Sequence, residues 1–487
     1  IQKDFNDRNT FVGGIFTATN RNLGDQFSFD YDEDNDEYTN SSNEVLNPFL
    51  INRKENNLSN LREAAYTAGV DFRHQWNDRK FNIEGNVVFS HVSGSKEAIE
   101  LTQSSLTHLF NRVDADHVEI DPNRTSLAGT GGKLEFSKQS TGHWRYGIGA
   151  NWRSPELELN DIGFLRQADE IRQYAWLNWR TLKPTGIFRS INARFNMNTS
   201  YDFEGNYNRI QYRMTSFSEF NNNWAYEIGY IHKPRIFTNT ILRGGPRWRF
   251  SEENVTFFFM NSDQTKKFSF FGGYVYSQAK QNNFSFLRLE SGVIYQPINA
   301  FSLTVSPEYR KSANKTQYVT ETDFNGTPRY ILATIDQQTL SASIRLNYNV
   351  NPNLTVQYYG QPFVSRGRYD TFKYVSDNPI ADDLNDRFVR YDSNEITEDN
   401  GTYEIDENGG GTDYSFDNPD FSFVQFRSNL VVRWEYIPGS EIFLVWSQGV
   451  TGSGDPANHL FRNLENQIVD QEKNNTFLIK ATYRFRR

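Results

Sequence analysis

Four aspartates at alternate positions near the start of the chain could bind a metal ion. They are Asp30, Asp32, Asp34 and Asp36, and their spacing is similar to that of calcium ligands in an EF-hand loop. The glycine and the distal glutamate of such a loop are missing. The stretch therefore predicts a solvated acidic loop, with weak binding of a divalent ion as the alternative, and the metal is undetermined.

Histidines and aspartates that lie near one another could instead form a hydrolytic site. Three of the seven histidines lie close in sequence to three aspartates: His91, His108, His117, Asp114, Asp116 and Asp121. Neither G-x-S-x-G nor H-E-x-x-H occurs in the chain. We therefore predict no catalytic residue, no enzyme activity and no cofactor. A surface hydrolase that uses His108 or His117 is the least favoured alternative.

Many of the other charged residues stand at alternate positions between apolar neighbours. Side chains two apart on a β-strand point to the same face of a sheet, so these charges would line one face if their segments are strands. The residues in this pattern are Asp71, Arg73, Glu84, Lys133, Glu135, Arg145, Arg153, Arg194, Arg209, Arg213, Arg288, Glu290, Glu308, Arg310, Arg345, Arg433, Glu435, Lys480 and Arg484.

The segments around these charges alternate as β-strands do. The last stretch, Asn475–Phe485, places Phe, Ile, Ala, Tyr and Phe on one face and mostly polar residues on the other. Similar stretches recur along the chain, joined alternately by tight turns such as Asn77–Asp78 and by long polar loops. We count about 18 strands. The pattern predicts an all-β fold: a transmembrane, antiparallel outer-membrane β-barrel whose last strand closes against its first, with short periplasmic turns and long extracellular loops.

The composition of the 487 residues agrees with this fold class. The mean hydropathy is −0.72 and no run of 18 apolar residues occurs, which excludes a helical membrane protein. Aromatic residues reach 15%, which is high for so polar a chain and suits a barrel with an aromatic exterior. The absence of cysteine excludes disulfides, and a net charge of −9 argues against a nucleic-acid partner. A soluble β-propeller is the alternative fold, but no repeat of fixed period is present.

In a barrel the charged face would line the lumen, because an arginine or lysine facing lipid costs about 2–4 kcal/mol at mid-bilayer. Two interpretations are open: a ladder of paired charges that stabilises a wide barrel, or a cationic and selective passage. We favour the ladder, because carboxylates interleave with most of the arginines.

Two long segments depart from the alternation. Segment 233–253 is predicted as a loop that folds inward, and its candidate gate residues are Arg235, Arg243, Gly244, Gly245, Pro246, Arg247 and Arg249. Segment 365–422 is predicted as a mobile extracellular loop, since between Asp377 and Asp420 it holds 14 acidic residues against two arginines.

Four stretches carry a family resemblance: F-V-G-G-I-F-T-A-T-N at Phe11–Asn20, S-P-E-L-E-L-N-D-I-G-F-L-R-Q-A-D at Ser154–Asp169, L-R-G-G-P at Leu242–Pro246, and L-V-V-R-W-E-Y-I-P-G-S-E-I-F-L-V-W at Leu430–Trp446. With these the chain resembles the C-terminal barrel of a Bacteroidota outer-membrane family described as domain of unknown function 5916. The resemblance implies a carbohydrate-binding family 9-like module in the periplasm, upstream of Ile1. It implies no catalytic residue.

These observations predict a single barrel domain over residues 1–487, integral to the bacterial outer membrane. The favoured function is a channel or gated pore for oligosaccharides or similar solutes. The alternative is a structural or accessory barrel of an envelope secretion or assembly complex. The expected partners are outer-membrane lipid and lipopolysaccharide, with carbohydrate and other envelope proteins as further candidates.

Overall fold

The computed structural model describes residues 2–21, 30–32, 37–39 and 60–485, which form an all-β structure with antiparallel pairing. The strands are β1 (Gln2–Phe5), β2 (Thr10–Asn20), β3 (Asp30–Asp32), β4 (Glu37–Thr39), β5 (Arg62–Trp76), β6 (Phe81–Gly94), β7 (Ser126–Lys138), β8 (Trp144–Arg153), β9 (Glu170–Thr181), β10 (Phe188–Tyr201), β11 (Tyr207–Phe220), β12 (Ala225–Thr238), β13 (Trp248–Phe250), β14 (Glu253–Asn261), β15 (Phe268–Ala279), β16 (Phe284–Ile298), β17 (Phe301–Phe324), β18 (Thr327–Asn351), β19 (Leu354–Val375), β20 (Phe388–Arg390), β21 (Ile396–Asp399), β22 (Thr402–Ile405), β23 (Tyr414–Asp417), β24 (Phe421–Ile437), β25 (Ser440–Ser453) and β26 (Asn474–Thr482).

The helical segments are short. They are the α-helices α1 (Lys96–Ser104) and α2 (Leu460–Leu464), two 3-10 turns at Lys280–Asn282 and Leu384–Arg387, and a π-helical turn at Glu465–Val469. Within the described ranges, none of the helices has the length and apolar character needed to cross a membrane.

The chain forms two compact units. Unit 1 comprises Ile1–Asn178, Asn196–Gln211 and Arg235–Phe250, and unit 2 comprises Trp179–Phe195, Tyr212–Pro234 and Ser251–Arg487. Strands β9 to β12 therefore contribute residues to both units.

In unit 1, strands β1, β2, β5, β6, β7 and β8 pair in that order. The predicted tight turn between β5 and β6 is present, and its residues 77–79 have positive φ. Val70 lies opposite Val87, and the two side chains are 58% and 52% exposed. Ile148 on β8, opposite Phe136, is 62% exposed. We call this side of β5 to β8 the apolar face.

The other side of the same strands, the charged face, carries the charges predicted from the sequence. Arg73 lies opposite Glu84, and Glu84 lies opposite Glu135. Lys133 Nζ is 2.8 Å from Glu84 Oε1 and 3.3 Å from Glu135 Oε2. Asp71, Arg73, Glu84 and Lys133 line an open cleft of about 360 Å³. The charged face is therefore polar, ion-paired and open to solvent in this part of unit 1.

In unit 2, strands β14 to β19 pair in succession, followed by β24, β25 and β26. The last strand predicted from the sequence is confirmed as β26. Its Ile479 lies opposite Leu444 of β25, which lies opposite Val432 of β24. Ile479 and Leu444 are exposed, so unit 2 has an apolar face of its own.

The prediction that 233–253 is a loop was wrong at both ends. Strand β12 continues through Thr238, which pairs with Trp248 of β13, so the loop itself is 239–247. Trp248 is fully buried. Pro234 and the charged Lys233 and Arg235 interrupt the apolar alternation in this part of β12, which is why the strand was missed.

The prediction that 365–422 is a mobile loop was also wrong. Strand β19 continues to Val375, and β21, β22 and β23 form a small antiparallel sheet. Ile405 of β22 and Tyr414 and Phe416 of β23 are buried in a core that also contains Ile331 and Phe372. Tyr414 and Phe416 stand two apart and therefore face the same side of the sheet. Because acidic residues make up most of the charged residues in this segment, its few apolar core positions were not recognised in the sequence.

Candidate functional site

Four segments of unit 1 pack together next to the charged face, and we call them the loop cluster: 95–125, 154–169, 202–206 and 239–247. Ile99 of α1 and Phe110 form a buried core with Val92 of the charged face. Leu157 packs with Leu165 and with Val88 of the same face. The loop cluster therefore lies on the charged side of the strands and leaves their apolar face exposed.

Small residues on the charged face let the loop backbone approach the strands. A Cβ at Gly129 would overlap the backbone of Glu156 and Leu157, and one at Gly131 would lie 2.8 Å from Leu157 Cδ2. The Glu158 amide donates to Ser90 Oγ at 3.0 Å. Gly129 and Gly131 of β7 are thus explained by the close packing of the 154–169 segment on this face.

A buried ionic group joins two of these segments. His108 is 4% exposed, and its ring nitrogens lie 2.7 Å from the Pro155 carbonyl oxygen and 3.0 Å from Glu158 Oε2. Arg62 Nη1 lies 3.4 Å from the same carboxylate, and Arg62 Nε donates to Asp161 at 2.9 Å. Both nitrogens of His108 face acceptors, so neither is open to a substrate, and the arrangement holds the loops in place.

A second histidine, His117, joins segment 95–125 to segments 154–169 and 202–206. His117 lies 3.1 Å from Asp169 Oδ2 and 3.3 Å from Glu204 Oε2, so it bridges two carboxylates. Asp169 also accepts from the Phe203 amide at 2.9 Å. Arg112 is buried and donates from Nε to Asp114 at 3.1 Å. These contacts connect segment 95–125 to 154–169 and to 202–206.

Five of the seven predicted gate residues belong to this cluster. The carbonyls of Arg243 and Gly244 accept from Asn111 Nδ2 at 3.5 Å and from the Val113 amide at 3.2 Å. The Arg247 amide donates to Asp114 at 2.6 Å. Gly244 has φ +122°, and a Cβ there would overlap the Asn111 side chain. Arg235 lies in β12 and Arg249 in β13, while Gly245 and Pro246 complete the turn.

The pKa of Glu158 is lowered from its ordinary value of 4.5. Burial raises it, but the hydrogen bond from His108, the amide of Asn160 and the charge of Arg62 more than offset this. A carboxyl group with a lowered folded pKa stabilises the fold fully above its unfolded pKa, and this contribution is lost as pH falls through the folded value. We therefore expect the loop cluster to open more readily in acid, below about pH 4.5.

The variant Glu158→Gln tests this role at neutral pH. Loss of one partner from a buried ion pair costs about 3–5 kcal/mol, so we expect faster hydrogen exchange of amides in segments 96–112 and 154–169. Hydrogen exchange read by mass spectrometry measures it, and Glu100→Gln on the exposed side of α1 is the matched control. Equal exchange in the two variants would contradict the assigned role.

An unbalanced arginine group also lies on the charged side of unit 1. Arg153 contacts Glu170, Arg172 Nη2 lies 3.2 Å from Glu170 Oε1, and Arg209 Nη2 lies 3.6 Å from the same oxygen. We call these four residues the arginine group. Arg153 and Arg209 were predicted from their alternation. Glu170 and Arg172 were missed, although they stand two apart at the start of β9 and follow the same spacing rule.

Except for Arg484, which follows β26, the other predicted charges lie on strands, and their assignment to a lumen stays a prediction. Ion pairs join Arg288 to Glu290 (3.2 Å), Arg310 to Glu308 (2.5 Å), and Arg433 to Glu435 (3.7 Å) and to Glu441. Cationic groups lie over rings at Arg213 with Phe257, Arg345 with Tyr359 and Lys480 with Phe443. Arg145 donates to the Gln139 carbonyl, the Arg484 amide donates to Ser440 Oγ, and Arg194 lies in β10.

The structure identifies no metal centre in the part of the chain that it describes: no three His, Asp or Glu side chains there are grouped to hold an ion. Of the predicted metal candidates, Asp34 and Asp36 lie outside the described residues. Asp30 and Asp32 belong to β3, where they pair with Thr39 and Glu37 of β4.

Comparisons with known proteins place the chain in context. The family model described as Domain of unknown function (DUF5916) matches residues 38–485. A comparison with curated proteins gives no match.

Solved structures give distant matches. The siderophore receptor PirA from Acinetobacter baumannii is 8% identical, with a TM-score of 0.40 over 86% of this chain and 70% of that one. A bacterial polysaccharide outer membrane secretin is 8% identical, with a TM-score of 0.29 over 74% and 91%. OmpT of Vibrio cholerae is 11% identical, with a TM-score of 0.24 over 93% and 90%. At these values the matches support no functional argument.

Proposed function

We propose a function from the premise that the chain belongs to the family described as Domain of unknown function (DUF5916). The chain acts as an integral β-barrel of the bacterial outer membrane and forms a gated pore for oligosaccharides or similar solutes. It has no catalytic role. The observation that carries the proposal is the division of the strands into an exposed apolar face and a charged face on which loops pack.

The exposed apolar face supports the membrane part of the proposal. In unit 1, Val70, Val87 and Ile148 are each more than half exposed, and Leu134, opposite Ala150 on the same face, is 49% exposed. Soluble monomers rarely expose contiguous apolar patches of more than a few hundred Å². Lipid would cover this face, while the charged face would meet water in a lumen.

The loop cluster supports gating. Its segments fold onto the charged face, where they would narrow a lumen, and the buried contacts of His108 and the partly exposed contacts of His117 hold them there. Loops that close a site and are held by a few ionic contacts open on the microsecond to millisecond scale. The carbohydrate-binding module that the resemblance implies favours oligosaccharides as the solute.

Single-channel recording of the purified chain in planar bilayers tests the proposal. In one variant, residues 240–246 are replaced by a Gly-Ser linker of equal length, which removes the buried Leu242 side chain and loosens the backbone whose carbonyls accept from Asn111 and Val113. We expect rare, brief openings in the intact chain and steady conductance in this variant. A Gly-Ser linker that replaces residues 408–412 of unit 2 at their own length is the control and should leave the recording unchanged.

A second candidate function follows from the same loop cluster. An accessory barrel of an envelope complex would have its lumen closed permanently, and the buried cores under the loops favour closure. Silence in both the intact chain and the 240–246 variant, together with envelope proteins that co-purify, would support this candidate and contradict the pore.

A further inference from the structure

The arginine group differs from the other ion pairs of the charged face because its charges do not balance. Arg153, Arg172 and Arg209 all direct a terminal guanidinium nitrogen to the single carboxylate of Glu170. Arg166 adds a further positive charge to the surroundings of Arg209. By contrast, Lys133 is shared between two glutamates. The arginine group therefore carries a net charge of +2 before Arg166 is counted.

The carboxylate next to Glu170 in the chain, that of Asp169, does not neutralise this excess. Asp169 precedes Glu170 in the chain, but its Oδ2 lies 3.1 Å from His117 Nε2 and 4.0 Å from Arg112 Nη1. It accepts from the Phe203 amide with its other oxygen. The carboxylate of Asp169 is thus occupied by contacts within the loop cluster, and the three arginines share the carboxylate of Glu170.

The guanidinium groups keep unused donors. Each has five N–H donors, whereas a carboxylate offers about four acceptor positions to all three. Among the described residues, the buried Nε atoms of Arg153, Arg172 and Arg209 have no hydrogen-bond partner. The three arginine side chains are 31%, 34% and 34% exposed, while Glu170 is 6% exposed. The arginine side chains are therefore accessible to a solute, while the buried carboxylate of Glu170 holds the three guanidinium groups together.

We propose that the arginine group binds the anionic group of a solute, a carboxylate or a phosphate. Planar guanidinium groups bind both with paired, charge-assisted hydrogen bonds. A bound oxyanion would supply the acceptors and the negative charge that one glutamate cannot provide. The inference rests on the proposed pore and narrows its solutes to acidic oligosaccharides or sugar phosphates.

Isothermal titration of the intact, detergent-solubilised chain tests this site. The probes are trigalacturonic acid for the carboxylate, glucose 6-phosphate for the phosphate, and maltotriose as the neutral control. We expect at least one anionic probe to bind and maltotriose not to bind. In Arg209→Gln the affinity should fall about tenfold or more, because a charge-assisted pair is lost. Arg145→Gln, which removes an arginine outside the group, should leave the affinity unchanged.

A fold check separates loss of the site from loss of the structure. Circular dichroism and heat-modified mobility on gels should be the same for both variants, and Arg209→Lys, which keeps the charge without the planar fork, should bind with intermediate affinity. Equal weakening by Arg209→Gln and Arg145→Gln, or binding of maltotriose as strong as that of the acids, would overturn the site.

The result is independent of the conductance test. Conducting channels in a protein that binds neither anionic probe would overturn the arginine site and leave the pore intact. Anion binding by a protein whose 240–246 variant never conducts would overturn the pore and leave the anion site standing.

Discussion

The variant Gly129→Ala is expected to release the 154–169 segment from the charged face while β5 to β8 stay paired. The added Cβ would overlap the backbone of Glu156 and Leu157, and a backbone clash cannot be relieved by rotating a side chain. Overpacking of this kind costs about 1–3 kcal/mol or more, which raises the opening equilibrium of the loop roughly 5- to 150-fold. Hydrogen exchange of peptides over 154–169 and 96–112 measures this opening.

Gly14→Ala is the matched control for this experiment. It places the same methyl group on β2, where the nearest heavy atom is the Gly69 carbonyl oxygen at 3.6 Å, an ordinary contact. Its exchange should equal that of the unmodified chain. If Gly129→Ala also leaves 154–169 fully protected, the close seating of this loop on β7 is wrong. If the loop opens and the pore proposal is correct, the Gly129→Ala channel should also conduct more steadily.

The strands could be predicted from the sequence because their signal is local. In β26, Phe477 and Ile479 alternate with Leu478 and Lys480, and this alternation depends only on consecutive residues. The turn at 77–79 is equally local, since asparagine and aspartate tolerate the left-handed conformation that they adopt there. Fold class and most charged positions follow from such patterns.

The loop cluster could not be predicted in the same way. Its defining contacts join residues far apart in the chain: His108 with Glu158, and Asn111 with Arg243. No short pattern encodes a pairing over 50 or 132 positions. Two of the stretches that carry the family resemblance, Ser154–Asp169 and Leu242–Pro246, both contact segment 95–125. The resemblance therefore pointed to the right segments without showing that they meet.

The pairing of charges two apart on a strand could be predicted for a related reason, while their role as a ladder in a lumen stays a prediction. Pairs two apart on one strand, such as Arg288 with Glu290 and Arg310 with Glu308, do form ion pairs. The arginine group could not be predicted in this way, because the sharing of Glu170 depends on residues of different strands. Positive and negative charges that balance when they are counted along the sequence need not balance at one position on the charged face.

The small sheet β21 to β23 of unit 2 is expected to depend on one residue, Ile405. Its side chain is fully buried in the core with Ile331, Phe372 and Tyr414. Replacement by alanine removes three carbon atoms from a packed site, which costs about 2–5 kcal/mol and raises local opening at least roughly 30-fold. The Ile405→Ala sheet should therefore be cut rapidly by protease near 409–411.

Polar contacts at the edge of this core should confine the opening caused by Ile405→Ala to the small sheet. The Tyr391 and Tyr414 hydroxyls share a hydrogen bond of 2.8 Å, and Arg329 Nη2 donates to Glu407 at 2.6 Å. Burial raises the pKa of Tyr391 and of Tyr414, and the hydrogen bond with Tyr414 raises that of Tyr391 further, as the one with Glu407 does for Tyr414. Both hydroxyls therefore stay neutral at physiological pH and keep these contacts. We therefore expect β18 and β19 to remain paired when the sheet opens.

Ile380→Ala is the control, because it removes the same atoms from a side chain that is 48% exposed. Limited proteolysis followed by mass spectrometry compares cleavage at 409–411 in the two variants. Cleavage in Ile405→Ala alone would show that the acidic segment is a folded sheet held by its own core. Equal and rapid cleavage in the unmodified chain would instead support the solvated loop that its 14 acidic residues suggest.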